Sequence, residues 1–230
     1  MDSEVMETRD DAKQAGLGDL AYDAMKERLI RGMYKPGHKL TVRAIAEQLN
    51  VSSTPARDAL NRLINERALV YAGPKTVIVP LLNLEQLQEV TWMRLALEGL
   101  AAEKAAAYVT TEDVDALEAI QRTITLALDE RRYADALWNN KEFHFLIYKR
   151  SNLPLLVSTI ESLWLRIGAA FNDLYPEFAV SKYGVHNHQA AMDGLRRRDA
   201  SDVRAAMETD IRDGFRRLRT ALDERSTPRR

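Results

Sequence analysis

The stretch from Leu40 to Pro80, LTVRAIAEQLNVSSTPARDALNRLINERALVYAGPKTVIVP, leaves few folds open to the chain that carries it. It reads as helix, tight turn, helix and short hairpin. Thr41 is a good N-cap, and Ala44, Ile45, Ala46 and Leu49 supply the buried side of the first helix. Asn50 tolerates the left-handed backbone that stops a helix, and Val51 can plug the corner between two helices. Ser52 or Ser53 caps the second helix, and Pro55 falls in its first turn, where a missing N–H costs nothing. Ala56, Ala59, Leu60, Leu63 and Ile64 form its inward stripe, with Ser53, Thr54, Arg57, Asp58 and Asn61 on the opposite side. After Ala68, the apolar runs Leu69-Val70-Tyr71 and Thr76-Val77-Ile78-Val79 flank Ala-Gly-Pro-Lys, which is hairpin punctuation.

A helix pair with small residues at its crossing, followed by a hairpin with Lys75 at its tip, is what a winged helix-turn-helix requires. Its second helix enters a DNA major groove N-terminus first. Ser52, Ser53, Thr54 and backbone N–H groups there can take phosphate oxygens; Arg57, one turn in, can reach a base edge, with Asn61 a further turn along. The bland alternative is an antiparallel helix pair with a solvated polar face. Charge bears on that choice. The chain carries 33 Lys and Arg against 34 Asp and Glu, a net of −1, so no global field draws in nucleic acid. Between Gly18 and Pro80, however, 10 basic residues stand against 6 acidic ones, an excess of four that suits a modest DNA-binding module.

The 230 residues suit one large or two modest domains. With no cysteine, disulfides, thiolate nucleophiles and cysteine metal sites are excluded, which fits a reducing cytoplasm. The acidic, polar N-terminus is not a secretory signal, and no stretch reads as long enough to span a bilayer. Residues 1–17 read as a mobile arm and 18–80 as the winged unit, opening with a helix over Asp19–Met33 that turns Leu20, Ala24, Leu29 and Ile30 inward. From Leu84 to residue 224 the periodicity is helical throughout: Leu84–Tyr108, Thr111–Glu130, Tyr133–Arg150, Leu155–Tyr175, Ser181–Arg197 and Ala200–Asp223. Short polar connections between about six long amphipathic helices indicate an antiparallel bundle. Residues 225–230 read as a disordered tail. The fold class is therefore mainly α.

Several of these landmarks are more specific than geometry. Pro36-Gly37, Leu40, Ile45-Ala46, Leu49, Val51-Ser52, Pro55, Arg57, Ala59-Leu60, Leu63 and Ala68-Leu69-Val70 together resemble the DNA-binding domain of the GntR family of bacterial transcription regulators. That resemblance implies operator contacts at Arg43 and Arg57. Many relatives carry another arginine where Ser53 stands, which affects the operator sequence rather than DNA binding as such.

Histidine is scarce, at four residues. Asn140 and His144 share one face of the third bundle helix, His188 lies on the fifth, Asp210 on the sixth and Arg94 on the first. Singly, each has an ordinary explanation: a satisfied core or surface histidine, a solvated aspartate, an Arg94–Glu98 pair at i+4. Together, Arg94-x-x-x-Glu98, Asn140-x-x-Phe143-His144, Ser151-Asn152-x-Pro154, His188, Arg198-Asp199 and Met207-x-x-Asp210-Ile211 resemble the effector-binding FCD domain of the FadR subfamily of GntR regulators. The run SNLPLLVSTIESLWLRIG resembles its McbR-like branch. In many relatives the four matching positions hold Asp, His, His and His and bind a divalent metal beneath an effector. Here the set is Asn140, His144, His188 and Asp210, still one carboxylate and two imidazoles. Two nitrogens and two oxygens suit Zn, Mn, Ni or Fe, although an amide oxygen is a weak ligand for them. The resemblance makes Arg94, Asn140, His144 and His188 effector-binding residues, with Arg94 the partner of an effector carboxylate. Trp92, Trp138, Phe143 and Leu165 are candidates for the pocket roof.

The expected function is that of a ligand-responsive, sequence-specific transcription regulator: a cytoplasmic bacterial homodimer on double-stranded operator DNA, with no membrane partner. As a repressor it would be released by a small carboxylate metabolite. The alternative is a helical metal-dependent hydrolase with an accessory winged domain. Against it, the chain offers no general base beside the four residues, no Gly-rich loop and no nucleophile motif.

Overall fold

In the computed structural model, which describes residues 2–73, 76–174 and 183–226, the elements run in the order the pattern dictates. The first helix, α1, spans Asp2–Ile30 and so begins inside the segment expected to be an arm, without a break at Gly18. Its buried residues are Ala21, Tyr22, Met25, Leu29 and Ile30, whereas Leu20, expected inward, is 67% exposed. Leu29 and Ile30 are inward as expected and Ala24 is half-buried; packing selects the 21/25/29 row, and Leu20 falls beside it.

Strand β1 (Lys39–Leu40) leads into α2 (Val42–Leu49), where the Thr41 side chain accepts from the Ala44 N–H. Asn50 ends α2 in the left-handed region at φ 53°, as its side chain permits. Ile45 is the buried residue of this short helix, and Ala44 is exposed rather than inward. Helix α3 (Ser53–Asn65) buries Pro55, Ala56, Ala59, Leu60 and Leu63. The small alanines let it approach α1 and α2 closely. Strands β2 (Val70–Gly73) and β3 (Thr76–Ile78) form the antiparallel wing, with a register shift between Tyr71 and Gly73. The wing has a third strand that sequence periodicity did not reveal: β1 pairs Lys39 with Ile78 and Leu40 with Val77, giving the order β1-β3-β2. A two-residue strand is too short to show alternation.

The bundle contains α4 (Leu84–Ala105), α5 (Thr111–Asp129), α6 (Tyr133–Lys149), α7 (Pro154–Gly168), α8 (Tyr183–Arg197) and α9 (Ala200–Ser226). A 3₁₀ turn, Ala169–Leu174, extends α7. Reciprocal capping boxes start α4 (Asn83 with Gln86) and α5 (Thr110 with Asp113), each satisfying backbone donors that would otherwise be orphaned. Residues 225 and 226 belong to α9 rather than to a tail, and 227–230 lie outside the described residues.

One expectation needs correction. The segment Pro154–Phe171, 18 residues with a mean hydropathy of 1.2, is long and apolar enough to meet the length of a membrane span. Its apolarity has another use here: Ile160, Leu163, Trp164, Leu165 and Ile167 are all buried, in the cores on either side of α7. Leu165 and Ala169 join the core of the winged unit. Gly168 lies at this contact, where a Cβ would meet the Leu29 carbonyl oxygen at 3.4 Å and Ile30 Cα at 3.5 Å, ordinary van der Waals distances. Around the seam, Lys26 pairs with Glu161 at 2.9 Å, Arg31 with Asp135 at 2.9 Å, and Arg31 covers the Trp138 ring at 5.0 Å. The winged unit is thus packed onto α6 and α7 through α1.

Because α2 hangs on one large buried side chain, Ile45→Ala should cost about 2–5 kcal/mol, read as a lowered urea midpoint with unchanged slope. A shift below a few tenths of a kcal/mol would mean that Ile45 does not anchor the helix pair.

Candidate functional site

The polar face of α3 is presented outward. Ser52, Ser53, Thr54, Arg57 and Asn61 are all exposed, and the Ser52 hydroxyl makes no capping bond to the helix, leaving it and the first-turn N–H groups available. Arg57 has no ion-pair partner among the described residues. Arg43 is 89% exposed and rests against Glu47 at 3.0 Å, an exposed i,i+4 pair that an incoming phosphate can replace at little cost. The lower end of α3 is tied down instead: Arg62 bonds Asp19 at 2.5 Å and stacks on Tyr22 at 3.8 Å, and Tyr22 donates to Glu66 at 2.6 Å. Lys75 lies outside the described residues.

The bundle brings His144, His188 and Asp210 together, with one ligand atom of each within 4.8 Å of the others. His144 Nε2 is 3.3 Å from Asp210 Oδ2 and 3.3 Å from His188 Nε2. The helices α6, α8 and α9 contribute one residue each. Both rings are oriented from behind. Gln121 donates to Thr125 through Nε2, which turns its amide oxygen toward His188, and Oε1 accepts from His188 Nδ1 at 2.6 Å. Tyr148, one turn beyond His144, donates to Glu98 at 2.6 Å, so its oxygen accepts from His144 Nδ1 at 2.9 Å. Phe143 stacks on the His188 ring at 3.9 Å.

These supports fix the chemistry of the centre. With each Nδ1–H engaged, neutral rings turn both Nε2 lone pairs toward the Asp210 carboxylate. Acceptors facing one another repel unless a cation, either a metal ion or a proton on His144, lies between them. Donor atoms about 3.3–3.4 Å apart are what a tetrahedral ion with bonds of about 2.0–2.1 Å requires. Ionisation states agree. Burial strips hydration from a charged His188 and, although Asp210 favours the charge, His144 opposes it; the pKa of His188 falls to about 3. Burial disfavours the Asp210 carboxylate, but a proton on His144 Nε2 hydrogen-bonded to it outweighs burial and holds Asp210 at about 2. A neutral imidazole and an ionised carboxylate are the forms that bind metal. The residues present therefore fit a divalent ion.

Asn140 lines the same cavity as Asp210. The cavity, of about 40 Å³, is walled by Ile30, Arg94, Leu137, Trp164, Gly168, Phe171, Ile211 and Gly214 as well. That holds a few waters, not a metabolite. Arg94 is buried and already paired: Nε and Nη2 reach Glu98 at 2.5 and 3.3 Å, and the guanidinium lies 4.8 Å over the Trp164 ring. The simple i+4 pair is thus real, and it leaves Nη1 rather than the whole fork for a ligand.

The expected roof is corrected on most counts. Trp92 is 64% exposed on the outer face of α4, Trp138 sits at the domain seam, Leu165 points into the winged core and Phe143 backs His188. Trp164 and Phe171 line the cavity instead. Helical period could not separate them, since the apolar surface of α7 is broad enough to serve more than one core. Tyr148 could have been found, four residues after His144; Gln121, on another helix, had no local signal.

From these contacts, zinc, manganese or nickel added to metal-free protein should raise its unfolding midpoint, worth about 2.7 kcal/mol at a hundredfold excess over Kd. His188→Ala and Asp210→Ala should each abolish the rise, and an undiminished rise in both would remove the cluster as a metal site. Glu98→Ala leaves the Arg94 charge buried without its partner and should cost about 3–5 kcal/mol in chemical denaturation; a neutral outcome would show that Arg94 finds water.

The FCD domain family matches residues 89–213, and the family described as "Bacterial regulatory proteins, gntR family" matches residues 17–77. The HTH-type transcriptional regulator McbR of Escherichia coli (strain K12) is 32% identical over 182 residues, 78% of this chain and 82% of that protein. The HTH-type transcriptional repressor RspR of the same strain is 20% identical over 205 residues, covering 89% and 90%. The solved structure of E. coli McbR/YncC superposes with a TM-score of 0.82 at 29% identity, over 89% of this chain and 97% of that one. A putative GntR regulator from Rhodococcus sp. RHA1 shares the fold, with a TM-score of 0.73 at 16% identity over 89% and 98% of the two chains.

Proposed function

The chain belongs to the GntR family of bacterial transcription regulators, with an FCD ligand-binding domain and McbR-like affinities, and from that premise we propose that it is a repressor which releases its operator when a small carboxylate enters the bundle cavity. A metal-dependent hydrolase is not supported: both domains match families of regulators.

The DNA half of this reading rests on the outward face of α3. A homodimer would place two such helices on two half-sites of a near-palindrome in the bacterial cytoplasm. Arg57, exposed and without an ion pair among the described residues, reads a base edge; Arg43, Ser52, Ser53, Thr54, Asn61 and the wing's Lys75 hold phosphates and sugar.

The effector half is carried by one observation: the Trp164 indole Nε1 is buried without a hydrogen-bond partner among the described residues, on the wall of the cavity that holds Arg94 and Asp210. A buried unpaired donor costs roughly 1–3 kcal/mol, which a carboxylate oxygen would recover. A divalent ion at His144, His188 and Asp210 would supply a Lewis-acidic point for the same anion. Arg94 Nη1 adds a second donor, so Trp164 and Arg94 orient the ligand while Phe171 and Ile211 exclude water.

The response follows from what encloses the space. Since about 40 Å³ cannot admit a metabolite, entry must part the walls. Two of those walls are Ile30 of α1 and Gly168 of α7, which meet at the seam between the units. Displacing Ile30 tilts α1 and with it α3. A tenfold change in operator occupancy needs only about 1.4 kcal/mol of differential affinity between the two arrangements.

Arg57→Ala should weaken operator binding by about 1–3 kcal/mol and flatten base preference, followed by fluorescence anisotropy on matched and mutated half-sites. Log affinity of the parent protein should fall steeply with log salt, by about 0.9 per phosphate neutralised. Full affinity and preference in the variant would end the role assigned to Arg57.

A further inference from the structure

These helices also border a space larger than the cavity at the histidine cluster. A groove of about 480 Å³ runs along the outside of the bundle between α6 and α7, against about 40 Å³ at the cluster. Small-molecule sites fall between about 300 and 1,000 Å³, so this groove has room for a ligand without rearrangement.

Its walls are two helical rows. Lys141, Phe145 and Lys149 stand four residues apart on α6, and Pro154, Val157, Ser158 and Glu161 face them from α7. Lys141 and Lys149 are about 12 Å apart along the helix axis. Asn152 and Leu153 close one end; the Asn152 backbone is left-handed, at φ 57°, and turns the chain from one row into the other. Glu161 closes the other end, paired with Lys26 of α1 at 2.9 Å.

The charges along the groove are not evenly compensated. Lys141 is 8% exposed; its ammonium donates to Glu142 at 2.9 Å and lies 4.9 Å from the Trp138 and Phe145 rings, so it is neutralised and packed. Glu161 is neutralised by Lys26. Lys149 is exposed and has no ion-pair partner among the described residues. Beside it, α7 begins at Leu153 with no side-chain cap, which adds the partial positive charge of a helix N-terminus to the same end. Between the ends, Leu153, Pro154 and Val157 present apolar surface, over a floor formed by the buried Phe145. A positive end joined to an apolar trough matches one class of molecule.

We propose that the groove between α6 and α7 binds a small amphiphilic anion, its headgroup at Lys149 and its apolar body along Pro154 and Val157. The site is separate from the effector cavity and does not use the histidine cluster. Its far end abuts the Lys26–Glu161 pair, one of the contacts that fasten the winged unit to the bundle, so a longer occupant presses on that joint.

The test is a fluorescence titration of the full chain with 8-anilinonaphthalene-1-sulfonate, an aromatic sulfonate of this class. Saturable binding at one site is expected. Lys149→Glu, on an exposed residue that leaves the fold intact, should weaken it at least tenfold, whereas Lys149→Arg should stay within threefold. Val157→Trp, which fills the trough, should abolish saturation, with circular dichroism confirming that the variant is folded. Trp92→Ala, on the exposed face of α4, should leave the affinity unchanged. Equal affinity in Lys149→Glu and the parent would overturn the proposal. So would non-saturable enhancement, or loss of the signal in Trp92→Ala, which would place the probe on the α4 face.

Discussion

A guanidinium and a carboxylate buried side by side on one turn of α4 set the terms for the rest of the bundle. Arg94 and Glu98 are 4% and 0% exposed, and neither charge is tolerable in that setting without the other. Burial works against ionised Arg94, but Glu98 outweighs it and keeps the guanidinium charged. Glu98 then has one oxygen available for Tyr148, whose own ionisation burial and the Glu98 charge push well above the ordinary range. A Tyr148 that always donates to Glu98 always accepts from His144. The ion pair thereby determines which nitrogen of His144 faces the cluster, two residues removed from the charge that decides it.

The same region joins the bundle to the winged unit by direct contact. Helix α7 has a broad apolar surface because it serves both cores: Trp164 faces the cavity and Leu165, the next residue, faces the winged unit. Gly168 sits where α1 and α7 meet, and Ile30 completes the cavity wall from the winged unit. A cavity that borders both units, with only enough volume for a few waters, is a place where a ligand changes the seam directly. The pairs Lys26–Glu161 and Arg31–Asp135 hold that seam at its margins. Being partly solvated, they are cheap to exchange.

Element identity was legible throughout because it rests on local chemistry. Thr41, Asn50 and Pro55 start and stop α2 and α3 wherever they occur, and Asn83, Thr110 and Pro154 do the same in the bundle. The histidine cluster was legible through spacing and family likeness. What failed were judgements about which apolar residue faces what. Leu20 is exposed and Ala21 buried; Trp92 is exposed and Trp164 lines the cavity. The third wing strand, of two residues, was too short to leave any pattern.

By itself, then, the sequence determined the winged helix-turn-helix, the helical bundle, the outward arginines and the candidate ligands. Caps, small-residue crossings and helical periods act within a few residues and need no partner to be read. Only the tertiary structure decided that Arg94 is spoken for by Glu98, that His188 is turned by Gln121 from 67 residues away, and that Ile30 closes the sensing cavity. Those outcomes depend on which faces meet. Where the apolar surface of a helix is broad enough to serve several cores, as that of α7 is, its own sequence carries no preference among them.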